Sequence, residues 1–253
     1  MDADNVIICD AKNIMDGLRL RQRELGRGTY GIVVTGTYRG VTCAVKVMLS
    51  AGLDRAALRE LLLGPSLVHP NIVSTIASRA AHLTHEFFDL LEGGSEGERD
   101  PSRPRVLEPL PIQSGDGFGD PQGLNDGLEP LLVLHQILHA LGAETGKMVV
   151  IVVQEYCDSG TLDHAIRKKV FEPTAMWGLR LARRTLLRTA GEIARGLLHL
   201  HDAGVIHGDL KPANILLNSS KEDRRGFSAK VSKPSFLLCC PGSGGLRVVS
   251  RAA

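Results

Sequence analysis

The stretch VIHGDLKPANILL, Val205–Leu217, places an aspartate, a lysine and an asparagine between Asp209 and Asn214, directly ahead of an apolar run of β type. Few local patterns restrict a chain more. The three polar side chains need a fixed loop, and the following strand has to anchor it. Asp209 can accept the proton of an attacking hydroxyl, Lys211 can neutralise charge building on a transferred phosphoryl group, and Asn214 can hold a metal ion through its amide oxygen. A turn with a capping Asp and a chance Asn is the plainer alternative. The length of the string His-x-Asp-Leu-Lys-Pro-x-Asn weighs against it.

The rest of the chain is large enough to support such a loop. It has 253 residues, 43% of them hydrophobic, which allows one large domain or two small ones. Thirty Lys and Arg against 28 Asp and Glu leave a net charge of only +2, so no general field favours nucleic acid or an anionic membrane. The five cysteines, Cys9, Cys43, Cys157, Cys239 and Cys240, form no C-x-x-C pair, and Cys239-Cys240 is expected to be an unstructured pair of thiols. Their odd number fits reduced thiols in a cytoplasmic protein better than a disulfide framework or a zinc site. The start, MDADNVIICDAKN, lacks the basic-then-apolar order of a signal peptide, and MVVIVV at 148–153 is too short to span a bilayer. These features predict a soluble intracellular protein with no membrane segment.

Residues 18–48 read as strands rich in Val, Ile and Thr with Gly at the turns, and 54–64 as a helix between Asp54 and Gly64. NIVST at 71–75 reads as a further short strand. LEGGSEGERDPSRPR and QSGDGFGDPQGLNDG are rich in Gly, Pro and acidic residues, so roughly 90–128 is expected to be a disordered surface insertion. LEPLLVLHQILHALG has a helical period, and GKMVVIVVQEY reads as a buried strand. TLDHAIRKK and RLARRTLLRTAGEIARGLLHLHDAG read as helices, the second ended by Gly204, and SAKVS at 228–232 as a strand. His135 and His139 stand one helical turn apart. Gln136 follows the first where a zinc protease has Glu, and no third ligand is evident, so a core or solvated helix face is expected.

Two further motifs precede the loop. LGRGTYGIV, Leu25 to Val33, has the form G-x-G-x-x-G-x-V with Gly26, Gly28 and Gly31. Glycines let backbone N–H groups approach phosphates closely, although a glycine-rich hairpin explains the pattern about as well. The β-branched residues that follow exclude a dinucleotide-type helix. CAVKV puts Lys46 in an apolar strand, and Glu60 on the next helix could orient it. A surface lysine and a solvated glutamate are the plainer readings of each alone.

With all three motifs in this order, the chain resembles a eukaryotic protein kinase, from the glycine loop at Gly26 to the strand at Val231 apart from the insertion. The resemblance implies an α+β, kinase-like two-lobe fold, with an N-lobe antiparallel sheet and an incomplete helical C-lobe. It divides the chain into an extension at 1–17, an N-lobe at 18–156, a partial C-lobe at 157–232 and a non-homologous tail at 233–253. It would set Lys46 on the α- and β-phosphates of ATP with Glu60 as partner, and HPNIV at 69–73 falls where the family has it after that glutamate. Gln154 would be the gatekeeper, Glu155 and Cys157 would offer backbone groups to adenine, and Leu25, Val33, Ala44 and Leu216 would enclose the ring. Asp209 resembles the catalytic base, and Asn214 would hold Mg²⁺. DLKPAN resembles the serine/threonine version of the loop, and the HGDLKPAN wording is most similar to the tyrosine-kinase-like group.

Two departures matter. Gly208 stands where the family has Arg, so pairing with a phosphorylated activation loop is not expected. After AKVS, where the family has Asp-Phe-Gly, this chain has Lys233-Pro234-Ser235. The missing Asp is the main metal ligand of the family. The expectation is an ATP-dependent serine/threonine kinase by family, acting on a protein hydroxyl but inactive or impaired as a truncated form. A non-catalytic ATP-binding scaffold, or a fragment handled by chaperones, is the alternative. The helix LLRTAGEIARGLLHL is expected to be left partly uncovered.

Overall fold

The computed structural model describes residues 8–28, 31–52, 65–92, 104–109, 130–174, 178–233 and 238–239. The expected helix over 54–64, with Glu60, lies outside these residues, as do Cys240 and the larger part of the acidic insertion. The chain forms two units: Met1–Leu61 with Ile76–Gln154, and Leu62–Thr75 with Glu155–Ala253.

The N-terminal unit is built on a five-stranded sheet, as expected from the pattern over 18–48. Its strands are β1 (Leu18–Gly28), β2 (Gly31–Tyr38), β3 (Val41–Ser50), β4 (Thr75–His82) and β5 (Met148–Glu155), in the order β1-β2-β3-β5-β4. β1, β2 and β3 run antiparallel. Tyr38 pairs with Val41 across a two-residue turn in which Arg39 (φ 49°) and Gly40 (φ 83°) both take positive φ. That conformation matches the twist of the flanking strands, and Gly40 adopts it without strain.

One face of the sheet carries Leu18, Leu20, Ile32, Val34, Val45, Val47, Val149 and Ile151. It is covered by two helices, α1 (His85–Glu92) and α2 (Pro130–Ala140), through Phe87, Phe88, Leu134 and Leu138. The opposite face of β3, β4 and β5 gathers Met48, Ala80, Met148, Val150 and Val152 in a second apolar cluster. β5 is therefore buried on both sides, which explains its continuous apolar run. The residues before β1 also join this unit. The Cys9 N–H donates to the Ala80 carbonyl at 2.9 Å, and Ile14 is fully buried.

The insertion differs from the sequence expectation where it is described. Within 104–109, Leu107 is buried and its N–H donates to the Ala143 carbonyl at 3.0 Å, while the Arg105 carbonyl accepts from the Thr145 N–H at 2.8 Å. The Arg105 guanidinium pairs with Asp89 at 2.7 Å and with Glu92, and lies 5.6 Å from the centre of the Phe88 ring. One apolar side chain and one cation, set between Gly- and Pro-rich runs, tie this segment to α1. The average composition of the stretch hides them.

The C-terminal unit contains α3 (Leu162–Arg167), α4 (Leu179–Asp202), β6 (Val205–Ile206), β7 (Ile215–Ser219), β8 (Phe227–Val231) and β9 (Leu238–Cys239). The Thr161 hydroxyl accepts from the His164 N–H at 3.2 Å and starts α3; Gly204, at φ 72°, ends the turn after α4. α4 turns Ala182, Thr185, Thr189, Glu192, Gly196 and Leu200 inward, a spacing of three and four residues. At Gly196 the helix touches the neighbouring chain: an added Cβ would lie 2.5 Å from the Asn71 carbonyl oxygen. The outer side of α4 leaves Leu186, Leu187 and Leu198 more than half exposed, at 51%, 71% and 59%. This is the uncovered face expected from the sequence. Among the described residues no helix is long and apolar enough to cross a membrane.

Two local expectations are corrected here. The strand expected at 71–75 begins only at Thr75. Residues 71–73 instead fasten onto β8: the Asn71 amide donates to the Ala229 carbonyl at 2.9 Å, and the Val73 N–H to the Val231 carbonyl at 2.9 Å. The region of the Cys239–Cys240 pair, expected to be unstructured, includes β9, whose Cys239 and Leu238 pair antiparallel with Val205 and Ile206.

Candidate active site

In the N-terminal unit the glycine motif spans the β1–β2 hairpin. Gly26 pairs with Val33. Around Gly26 and Gly28 nothing among the described residues lies within 4 Å of an added Cβ, so their backbone is open. Gly31 is different: an added Cβ would lie 2.3 Å from the Val47 carbonyl oxygen and 2.8 Å from Met48 Cγ. Only glycine lets β2 begin this close to β3. Val33 pairs with Lys46 and Thr35 with Ala44, and directly opposed residues of an antiparallel pair share a face. Val33, Ala44 and Lys46 are thus gathered on one side of the hairpin and its neighbouring strand. Leu25 is 40% exposed at its edge.

In the C-terminal unit the loop after β6 is held by hydrogen bonds from its own residues. His207 is buried, and its Nε2 donates to the Ser232 carbonyl at 2.9 Å. Its Nδ1 accepts from the Asp209 N–H at 3.3 Å, with Gly208 at φ 70° turning the chain between them. The two bonds fix one neutral tautomer. Lys211 Nζ donates to Asp209 Oδ2 at 2.9 Å; Asn214 Nδ2 donates to the Asp209 carbonyl at 2.7 Å and to Oδ2 at 3.0 Å. A single 3-10 turn, Pro212–Asn214, with proline setting its start, carries the loop into β7. The Ser232 N–H donates to the Asn214 carbonyl at 2.9 Å, so the end of β8 closes the loop. The three residues singled out from the sequence are joined here around one carboxylate.

Burial lowers the pKa of His207, against a smaller upward pull from its bond to Ser232. The folded value therefore lies below the unfolded value of about 6.5. The stability it contributes is complete above about pH 6.5 and is lost as pH falls through the folded value. The expected result is a His207 imidazole that titrates below about 6.5 in a ring-proton NMR titration, with the loop resonances shifting in the same step. A titration at or above that value would contradict the fixed neutral ring.

The segment after β5 also belongs to this unit. Glu155 Oε1 accepts from the Ser74 N–H at 2.6 Å and pairs with Lys230 Nζ at 2.9 Å, and its own N–H donates to the Ser74 carbonyl at 3.0 Å, so its side chain is a strut and its N–H is already used. Cys157 is half-buried, and burial pushes its thiol up to about 12, which makes it unreactive. Leu216 pairs with Lys230 in the β7–β8 ladder. Sequence reasoning missed Asp158. Its carboxylate accepts from the Ser219 N–H at 2.7 Å and the Ser219 hydroxyl, and these donors hold its pKa below the usual carboxylate range. An Asp ahead of Ser-Gly is a turn signal that could have found it. Thr75, which meets Lys233, gave no signal.

A family description for the protein kinase domain matches residues 131–232. Among curated proteins, the chain is 34% identical over 129 residues to integrin-linked protein kinase 1 of Arabidopsis thaliana, covering 48% of this chain and 24% of that protein. It is 44% identical over 68 residues to the MAP kinase kinase skh1/pek1 of Schizosaccharomyces pombe, covering 27% and 17%. It is 43% identical over 70 residues to the serine/threonine/tyrosine-protein kinase HT1 of Arabidopsis thaliana, covering 28% and 16%. The stretch from α2 to the end of β8 is similar to a protein kinase domain. The matches span a quarter or less of the length of these relatives.

Protein kinase domains in general imply ATP and a divalent metal. The loop offers such a metal one oxygen, Asn214 Oδ1, because the amide nitrogen is the side turned to Asp209. Divalent cations of this kind need several oxygen ligands with open lone pairs. Asp209 Oδ2 already accepts from Lys211 and Asn214, and Asn214 presents its N–H side to Asp209. The reverse amide orientation would set an oxygen against two acceptors. Among the described residues no three His, Cys, Asp or Glu side chains converge as a metal site.

Proposed function

We propose that the chain is part of a serine/threonine protein kinase that transfers the γ-phosphate of ATP to a protein hydroxyl, and that this form of it transfers little or none. The observation that carries the reading is the loop itself: Asp209 is held by His207, Lys211 and Asn214 in a single arrangement. Asp209 is the group placed to accept a hydroxyl proton, and Lys211 the cation beside it. Lys46 and the open backbone of Gly26 and Gly28 suit phosphate binding. Glu60 would orient Lys46, and Glu155 and Cys157 would meet adenine through their backbone. Leu25, Val33, Ala44 and Leu216 would pack on the ring. Mg²⁺ is the ion the full family site would use, with Asn214 as one ligand. A cytoplasmic setting accords with the unreactive thiols of Cys43 and Cys157.

The impairment follows from Lys233, a cation where the family has its metal-holding carboxylate. That same observation favours a second reading, a non-catalytic ATP-binding scaffold. The exposed leucines of α4 also suit a chaperone. The test is a transfer assay with γ-labelled ATP and a generic Ser/Thr protein substrate, on the full chain and on its Asp209→Asn variant. Both are expected to be silent, while Lys46→Met weakens binding of a fluorescent ATP analogue. Mg²⁺-dependent transfer by the unmodified chain, lost in Asp209→Asn, would overturn the claim of impairment.

A further inference from the structure

We propose that His69 and His199 form a proton-operated clasp in the C-terminal unit, which holds residues 69–73 against α4 and β8 near neutral pH and releases them in acid.

The two imidazoles are stacked, with ring centres 5.0 Å apart and planes 24° from parallel. His199 lies in the last turn of α4, and His69 stands two residues before Asn71. His69 Nδ1 accepts from the Asn71 N–H at 3.0 Å. A neutral ring that accepts through Nδ1 carries its proton on Nε2, so Nδ1 is the one position left for a second proton. Protonation therefore sets one N–H against another and breaks this bond. Asn71 is the hub of the segment. Its side-chain oxygen accepts from Arg195 Nε at 3.4 Å, its amide nitrogen donates to the Ala229 carbonyl at 2.9 Å, and its own carbonyl accepts from the Val231 N–H at 2.9 Å.

The surroundings act in the same direction. The groups whose charge reaches His69 are His199 and Arg195 on α4 and Lys230 on β8, and Lys230 is itself paired with Glu155 at 2.9 Å. Each of the three is a cation or becomes one in acid, so a charged His69 is pushed away from the helix and the strand. Burial first, and then these neighbours, hold the His69 pKa below the usual histidine value. The folded value lies below the unfolded one of about 6.5, so the clasp is complete above about pH 6.5 and fails as pH falls through the folded value. The segment it holds runs on through Ser74, which donates to Glu155 Oε1 at 2.6 Å, to Thr75, the first residue of β4. The Thr75 hydroxyl accepts from the buried Lys233 at 2.9 Å. Opening the clasp therefore loosens the stretch that leads into β4.

The experiment uses the full chain and its His69→Asn and His199→Phe variants. Asparagine still accepts an N–H two residues on and takes no proton in this range. Phenylalanine keeps a ring to stack and carries no charge. Two NMR signals are followed from about pH 7.5 to about pH 5: the ring protons of residues 69 and 199, and the exchange protection of the Asn71 amide, corrected for the intrinsic rate. In the unmodified chain His69 is expected to titrate below about 6.5, with Asn71 protection falling about tenfold or more in the same step. His69→Asn is expected to keep that protection within about twofold. His199→Phe removes a positive neighbour, so the His69 step is expected to move to higher pH. Asn71 protection that survives to about pH 5 in the unmodified chain overturns the proposal. An equal loss in His69→Asn also overturns it, because the proton would then act elsewhere, at His207 for example. If His69→Asn does not fold, the His69 step in His199→Phe decides: a raised step supports the clasp, and an unmoved one overturns it.

Discussion

Replacing Arg225 by methionine is expected to cost the C-terminal unit about 3–5 kcal/mol, enough to unfold it or nearly so. The Arg225 side chain is 4% exposed and lies between two carboxylates that are each 7% exposed. It meets Glu192 at 2.5 Å and Asp223 at 2.7 Å, donates to the Thr189 hydroxyl at 2.8 Å, and stacks 5.1 Å from the centre of the Phe227 ring. The other Glu192 oxygen accepts from the Ala229 N–H at 2.9 Å, so the network ties α4 directly to β8. Asp223 also meets Arg188, and these cations push its carboxyl down to about 2. Methionine fills much of the same volume but leaves two buried carboxylates facing each other. Urea unfolding followed by far-UV circular dichroism measures the loss. A cost below about 1 kcal/mol would mean that water reaches the network and screens it. Replacing Arg225, Glu192 and Asp223 together by apolar residues should recover most of the stability, because the penalty comes from the orphaned charges.

Phe88→Ala is expected to destabilise the N-terminal unit by about 3–5 kcal/mol. Phe88 is fully buried in α1, packed on the sheet, with the Arg105 guanidinium beside its ring. The substitution removes a large apolar volume and the surface against which Arg105 rests. A thermal melt of the full chain should show the loss in one transition. If Phe88→Ala leaves that transition unmoved, α1 and α2 do not contribute to the stability of the sheet. Arg105→Ala would then be equally silent.

The loop was legible because its chemistry is local. Asp209, Lys211 and Asn214 are close enough in sequence that one turn brings them together, and the strand after them had a clear pattern. The glycine hairpin and β3 were legible for the same reason, since Gly31 and Lys46 lie on adjacent strands joined by a two-residue turn. The covering of the sheet was not legible. HEFFDLLE is a short helix whose inward face has only Phe87, Phe88 and Leu91, and it runs into a stretch that looks like linker. Its partner α2 was visible as a helix, but no local signal says which surface it covers. The role of Asn71 was hidden too. Its amide reaches Ala229, far along the chain, and helps fasten residues 71–73 to β8 ahead of β4. The departure at Lys233 was visible as a change of charge. Its burial and its bond to Thr75 depend on long-range packing and could not be read from the neighbouring residues.

The strand order of the N-terminal unit also sets a schedule for its synthesis. β5 lies between β3 and β4 in the sheet, yet it is made last. When β4 leaves the ribosome its neighbour does not exist, and the hairpins of β1, β2 and β3 carry an apolar face that α2 will cover only after residue 140 is made. At about 5–20 residues per second, that face stays bare for several seconds. A nascent chain arrested before residue 148 would hold a three-stranded sheet whose β3 edge is open as well as its β1 edge, a template for pairing with another chain.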